Sequence, residues 1–348
     1  MKLPRLSASR LKTVADCSWV YWCKYILRLE DESNDGARRG TVTHLVLECL
    51  LKKRRWKLYK KIVKEKDLEL FPNIVNLIRR SMKDEGIVNE LDNKGNDNYE
   101  LIKKMIMVGL TTDFLCADNK KPKELLPEEH FNYIHKVNGD SIYHINGFID
   151  KIAKYAKKDK QRIVDYKTSQ KKFTRIELEK NIQGMMYALY NLRVRRAMSI
   201  VSFLFLRFEE PTQSLEFTEH ELKAFEEYLI YMSDYLQDFD VKKATSSFAW
   251  DKGFPDKEEG FCKRLKCNSY AKYKGQLKVN GEKMWCCPFK WEYDYWAEYD
   301  GEGELIAGHL NKVEVKKGHT IIKQNYKGCP KFNGGQTTEK HKLLTGDF

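Results

Sequence analysis

Asp165 and Lys167 stand two residues apart in the run "RIVDYK", residues 162–167, which is otherwise mostly apolar. Such a run reads as a strand, and residues two apart on a strand share a face. A carboxylate and an amine side by side on a core strand are costly unless they are paired, hold a metal or do chemistry. Upstream, "GFIDKI" sets a second carboxylate, Asp150, in another β-rich run, and the polar turn "KKDK" separates the two. A hairpin centred between Lys157 and Lys158 brings Asp150 opposite Asp165. Facing carboxylates repel, and one of them acquires a raised pKa unless a cation lies between them. Mg²⁺ or Mn²⁺ suits that place, because each accepts one or two carboxylates together with water and a substrate phosphate. Lys167 beside such an ion would lower the pKa of an attacking water or neutralise charge developing on phosphorus. The chemistry implied is phosphodiester hydrolysis.

The elements that must position these groups form a mixed α/β pattern. "SASRLKTVADCSWVYWCKYIL" predicts a short helix with an aromatic cluster, and "SNDGARRG", residues 33–40, a turn-rich basic loop. "TVTHLVLECLL" is helical, with His44 and Glu48 four apart on one face. Residues 67 to about 130 read as helical with a polar break at "LDNKGNDN". After the hairpin come a helix at "IELEKNIQGMMYALYNL", an apolar strand at "SIVSFLFLRF" and a long helix at "EHELKAFEEYLIYMSDYL". Beyond about residue 245 the chain is rich in Gly, Lys, Cys and aromatics, and "GEGELIAGHLNKVEVKKGHTIIKQNYKG" alternates well enough for a small β appendage.

With 348 residues, 42% of them hydrophobic, the chain suffices for one large core with appendages or two modest domains, which excludes a disordered polypeptide. Lys and Arg number 63 against 50 acids, a net charge of +13, and this favours a polyanionic partner, nucleic acid first. No stretch approaches the roughly 18 uninterrupted apolar residues of a membrane span, so no membrane partner is expected and the protein reads as cytoplasmic. Residues 51–66 hold nine basic residues and one acid, either a solvated helix face or a DNA contact. Lys52, Lys53, Arg54 and Arg55 there, with Arg38 and Arg39 of the preceding loop, are the candidate phosphate contacts.

Taken in order, "GTVTHLVLE" with His44, "GFIDKI" with Asp150, "IVDYKTS" with Asp165 and Lys167, and a helix holding Gln183 and Tyr187 resemble the PD-(D/E)XK nuclease superfamily, and within it the RecB-type exonucleases. The resemblance covers residues 5–50 and about 140–290. It implies a restriction-endonuclease-like α/β core, a mixed central sheet flanked by helices. It also implies that His44, Asp150, Asp165 and the Tyr166 carbonyl hold Mg²⁺ or Mn²⁺, that Lys167 is catalytic, and that Gln183 and Tyr187 line the site. Glu48 either bonds the other nitrogen of His44 or is merely solvated.

The domain map that follows has five parts. Residues 1–50 carry the amino-terminal helices of the core, 51–135 a helical insertion, 136–245 the catalytic core, 246–295 a cysteine-containing segment and 296–348 a basic β-rich appendage. The activity implied is a metal-dependent DNA exonuclease acting on single strands or DNA ends, of the sort phages encode for recombination, repair or DNA breakdown, with a recombination or replication protein as a conceivable partner. The rival is a non-catalytic DNA-binding subunit that keeps the fold; the joint presence of Asp150, Asp165 and Lys167 argues against it.

Nine cysteines in a reducing compartment point to metal binding or simple burial rather than to disulfides. Cys49 and Cys116 read as small buried hydrophobes. The RecB-type resemblance extends to a four-cysteine iron–sulfur cluster, with Cys17 matching its first position and Cys262 and Cys267 its carboxy-terminal segment. The fourth ligand would be Cys286 or Cys287, across a lysine-rich loop where the family spacing is not kept. A [4Fe-4S] cluster, a zinc ion and an empty set of thiols are all open readings.

Overall fold

The computed structural model describes residues 3–30, 35–87, 91, 95–117, 120–156, 159–249, 275–279, 282–290 and 292–333. In chain order its strands are β1 (Arg5–Leu6), β2 (Glu124–Val137), β3 (Asp140–Lys154), β4 (Gln161–Lys167), β5 (Ser199–Phe205), β6 (Thr212–Glu216), β7 (Gly275–Val279), β8 (Glu282–Cys286), β9 (Tyr293–Tyr299), β10 (Leu305–His309) and β11 (Thr320–Tyr326). The helices are α1 (Ala8–Asp16), α2 (Ser18–Tyr21), α3 (Asp35–Leu51), α4 (Trp56–Glu65), α5 (Pro72–Asp84), α6 (Asn98–Thr111), α7 (Arg175–Glu179), α8 (Ile182–Arg195), α9 (Glu219–Leu236), α10 (Val241–Ala244) and α11 (Pro330–Asn333). The chain divides into two compact units, Met1–Ala8 with Ser33–Asp234, and Ser9–Glu32 with Tyr235–Phe348. None of the described helices is long and apolar enough to cross a membrane.

The first unit is built on a mixed sheet of order β1-β3-β4-β5-β6, with β2 also paired to β3. β4 and β5 are parallel and joined through α7 and α8, whereas β2, β3 and β4 run antiparallel in turn. One face carries α3 to α6. Val42, Leu47, Ile74, Ile78, Ile102 and Ile106 pack there on Val164, Tyr166, Leu204 and Leu206, a closed apolar cluster whose burial drives the layer together. The charge run at 51–66 follows the same logic, because Ile62 of α4 is fully buried while Lys53, Arg54, Lys57, Lys60 and Lys61 are exposed. On the other face, Tyr187 and Tyr190 of α8 pack against Phe131 of β2.

The β3–β4 hairpin has the register that its turn demands, with Lys151 opposite Val164, Ile152 opposite Ile163 and Ala153 opposite Arg162. One step further the strands part. β2 occupies one edge of β3 along almost its whole length, while β1, at His144 and Ile145, and β4, from Lys151, share the other edge. The gap between them is where Asp150 lies.

Three elements differ from the sequence reading. Residues 124–137 form strand β2 rather than the tail of a helical insertion. β2 and β3 are joined by Asn138 and Gly139, both with positive φ (51° and 92°), the conformation that a tight hairpin turn requires and that Asn-Gly supplies readily. The basic stretch read as a loop is helical from Asp35 onward, as the first turn of α3. The single helix expected over 176–192 breaks into α7 and α8, because the Asn181 side chain accepts from the Gly184 amide and caps a new helix.

The second unit holds a three-stranded antiparallel sheet, β10-β9-β11, and the β7–β8 hairpin. Its core gathers Trp19, Phe289 and Tyr326: the Trp19 indole donates to the Tyr326 hydroxyl at 2.7 Å, and that hydroxyl donates to the Phe289 carbonyl at 2.8 Å. Ser9–Glu32 thus pack with the carboxy-terminal strands, although the sequence reading groups them with the nuclease core.

Candidate active site

Two carboxylates meet where β3 and β4 separate, and each is held by different neighbours. Asp150 receives His44 Nδ1 from α3 on one oxygen (2.9 Å) and the Tyr166 backbone amide on the other (2.6 Å). An amide that would have served the ladder thus serves a side chain instead, which fixes the carboxylate in the gap. Asp165, 4% exposed, takes Gln183 Nε2 at 2.9 Å on Oδ1, with the Tyr187 hydroxyl 3.0 Å away. Its Oδ2 lies 2.7 Å from Lys167 Nζ yet accepts no well-directed hydrogen bond.

Lys167 also donates to Gln183 Oε1 at 2.6 Å, so one amide holds both the amine and the acid. The Asn181 cap is the local reason: it starts α8 so that Gln183 falls in the first turn and Tyr187 one turn later. The Tyr187 hydroxyl lies 2.7 Å from the Phe148 carbonyl oxygen, which ties α8 to β3 beside Asp150. The glycine of "GFIDKI" has a packing role. A Cβ on Gly147 would stand 2.8 Å from the Phe131 ring, the same ring that meets Tyr187 edge-on at a centroid distance of 5.9 Å.

The electrostatics are those of an acid cluster short of cations. Burial alone would lower the His44 pKa, but Asp150, hydrogen-bonded to it, outweighs burial with help from Asp165 and Glu128, and the imidazole is pushed up to about 9. Burial, reinforced by Asp150, raises the Asp165 carboxyl, while Lys167 opposes the rise. Glu128 of β2 is raised by burial and then by Asp150 and Glu48. It has φ of 45° and lies across β2 from the Asp150 position, since Pro127 pairs with Lys151 and Glu129 with Ile149. A cavity of about 460 Å³ opens here, lined by Gly40, Thr41, His44, Glu48, Glu128 and Thr168. α3 comes close to the end of β4 because position 40 is glycine; a Cβ there would meet Thr168 Oγ1 at 3.0 Å.

His44, Asp150, Asp165, Tyr166, Lys167, Gln183 and Tyr187 are therefore brought together as the sequence predicts. Glu48 lines the same cavity and pairs with Lys52 at 2.7 Å. The basic residues fare differently. Arg39 is 4% exposed and bonded to Asn98, and Arg38 donates to the Gly86 carbonyl at 2.9 Å, so both guanidinium groups work inside the unit. Lys53 and Arg54 face solvent, and Arg54 and Arg55 line a separate cavity of about 420 Å³ with Cys49 and Asn73. Lys151, next to Asp150, is fully buried and points away from the acids: it donates to the Phe114 carbonyl at 2.9 Å and lies over the Phe114 and Tyr166 rings. Glu128 is the site residue that the sequence reading missed, and the Asn138-Gly139 turn was the signal that would have found its strand.

Of the expected cysteine set, Cys17 and Cys287 fall among the described side chains, and both lie near Cys23. In the second unit the buried Cys23 thiol is pushed well up by burial, with the Cys287, Cys329 and Cys17 thiols nearby, and it meets the Tyr326 hydroxyl at 3.4 Å. Cys262 and Cys267 lie outside the described residues, as does the side chain of Cys286. Among the described residues no three His, Cys, Asp or Glu side chains form a ready-made metal cage, His44, Asp150 and Asp165 included. The acid site is a closed network of internal bonds as it stands. Its donors nonetheless suit a divalent ion in kind: two carboxylates, an imidazole, a backbone carbonyl, and in Asp165 Oδ2 a buried oxygen without a directed hydrogen bond.

The family model for the PD-(D/E)XK nuclease superfamily matches residues 5–260, and members of that superfamily typically use divalent metals such as Mg²⁺. Among solved structures, the crystal structure of a presumed exonuclease from Eubacterium rectale is 14% identical with a TM-score of 0.39, covering 77% of this chain and 90% of that one. The crystal structure of SSO0001 is 18% identical with a TM-score of 0.24, covering 39% of this chain and 61% of that one. No curated protein matches the sequence.

Proposed function

The chain belongs to the PD-(D/E)XK nuclease superfamily, and from that premise we propose that it is a metal-dependent DNA exonuclease that hydrolyses strand ends. The observation that carries the reading is the convergence of Asp150, Asp165 and Lys167 on one break in the sheet, with Gln183 linking acid to amine. The ammonium held 2.7 Å from a buried carboxylate, beside a second carboxylate, supports the catalytic reading over a subunit that only binds DNA.

His44, Asp150, Asp165 and the Tyr166 carbonyl would hold a Mg²⁺ or Mn²⁺ ion, which when bound polarises the phosphate and lowers the pKa of water. The remaining work falls to this chain's own groups. Lys167 donates hydrogen bonds toward the oxygens of the phosphate under attack and offsets the negative charge that builds as water adds and the ester bond breaks. Gln183 accepts from its ammonium and, with Asp165, holds it at the break in the sheet. With the ion bound, His44 would be the neutral imidazole, its Nδ1–H bonded to Asp150 and holding that carboxylate in place. Tyr187 anchors Asp165 to the β3 backbone through Phe148.

The test uses end-labelled linear and covalently closed circular DNA, single- and double-stranded, with Mg²⁺, Mn²⁺ or EDTA. Release of terminal nucleotides from linear DNA, with circles intact and EDTA abolishing release, is expected. Cutting of closed circles would make the enzyme an endonuclease, and tight DNA binding without cleavage under every condition would favour the non-catalytic reading.

A further inference from the structure

Phe148 is a large apolar side chain left 55% exposed in the middle of a strand whose neighbours Ile145 and Ile149 are fully buried. Single exposed apolar residues are common and need no explanation. This one is fixed in place beside the acids. Its ring packs on His130 of β2 at a centroid distance of 4.7 Å, and its carbonyl is bonded by Tyr187, which also touches Asp165. Phe148 precedes Asp150 by two residues, so the two side chains leave the same face of β3 roughly 7 Å apart along the strand. His130 likewise follows Glu128 by two residues on the exposed face of β2.

We infer that the Phe148–His130 pair is a stacking platform for an unpaired nucleobase next to the scissile phosphate. The inference rests on the nuclease reading and narrows it to substrates with an unstacked terminal nucleotide. Charge decides which part of the strand lies there. Glu128 on β2 at the adjoining cavity repels a phosphate backbone, while Glu48 there is paired with Lys52, so what this side of the site offers a strand is flat aromatic surface. Every base has a π-face, and stacking on aromatic side chains of a sheet is a common way of holding single strands without reading sequence. A base still paired and stacked inside a duplex cannot lie on Phe148, and the platform therefore favours single-stranded or frayed ends.

The experiment measures initial rates for the parent, Phe148→Ala and Phe148→Trp on three labelled DNAs: a single strand, the same strand with an abasic residue beside the terminal scissile phosphate, and a blunt duplex. On the single strand, Phe148→Ala is expected to raise KM about tenfold with kcat within about threefold, and Phe148→Trp to restore it. The abasic strand costs the parent the same factor and costs Phe148→Ala nothing, because both changes remove one contact. Thermal melting and sedimentation, unchanged in Phe148→Ala, show that an exposed side chain was altered without unfolding. Equal KM values on the intact single strand, losses that multiply between variant and abasic site, or a change in oligomeric state would overturn the platform while leaving the nuclease reading standing. A parent that cuts none of the three removes both.

Discussion

Gln183 joins Lys167 to Asp165 with the two ends of one amide, accepting from the amine at 2.6 Å and donating to the acid at 2.9 Å. The two groups are already neighbours on β4, so the added bond does not bring them together; it sets the direction in which each faces. Gln183→Leu removes both bonds while keeping similar volume. It is expected to lower kcat about 10- to 100-fold with DNA binding unchanged, the usual effect of losing a partner that orients a site ligand. Steady-state cleavage beside filter binding checks this, and a fall in binding alone would contradict it.

Gly147 predicts a stability effect. The Cβ of Gly147→Ala would stand 2.8 Å from the Phe131 ring, which is buried against Tyr187 and Tyr190 and has little room to yield. The cost expected is about 1–3 kcal/mol, typical of overpacking. Urea titration measures it, and Phe131→Leu in the same chain should recover part of the loss because the opposing ring is then gone.

The pH dependence of stability has a named contributor on the far side of the sheet. Glu226 is buried and paired with the half-buried Arg193, and the Tyr143 hydroxyl donates to it at 2.5 Å. Burial alone would raise its carboxyl, but Arg193 and Tyr143 outweigh burial and hold it below the ordinary glutamate range. A depressed carboxyl stabilises the fold above the ordinary glutamate pKa and loses that contribution as pH falls through the folded value. Glu226→Gln is expected to cost about 2 kcal/mol at neutral pH, less than for a fully buried pair because Arg193 is 32% exposed. The variant should also flatten the acid limb of stability against pH, which unfolding curves from about pH 6 down to about pH 3 would show.

Arg39 and Arg54 separate two roles that sequence alone runs together. Arg39→Gln breaks a buried bond to Asn98 and should lower the melting temperature without changing how DNA affinity varies with salt. Arg54→Gln, on an exposed turn, should leave the melting temperature unchanged and reduce the slope of log affinity against log salt by about 1 if it meets a phosphate. A slope equal to the parent's removes residues 52–55 from the DNA contact.

The short-range part of this architecture was legible in the sequence. The polar turn set the register of β3 and β4, and alternation put Asp165 and Lys167 on one face; the pairing of Lys151 with Val164 and the Lys167–Asp165 contact bear both out. α9 runs over the very residues whose apolar spacing predicts it. β2 was hidden because it is mostly exposed, with Phe131 its one fully buried side chain, so its charged residues and Pro127 outweighed its alternation. With β2 went Glu128 and His130. Arg38 and Arg39 looked like a basic loop because nothing local announces Gly86 or Asn98, their partners about 50 residues on. The resemblance already joined Cys17 to the carboxy-terminal cysteines, but the place of Cys23 and Cys329 beside Cys287 depends on packing between the ends of the chain, which spacing within either end cannot supply.

The most direct test of the account is single-turnover hydrolysis of end-labelled linear DNA by the parent and by Lys167→Ala with Mg²⁺, with DNA affinity measured in parallel. Removing an ammonium aimed at developing charge predicts a rate loss of about 10³-fold with affinity within about threefold, read at a temperature where both proteins are folded. A Lys167→Ala protein that hydrolyses DNA within about tenfold of the parent would contradict the assignment of this site as the catalytic centre.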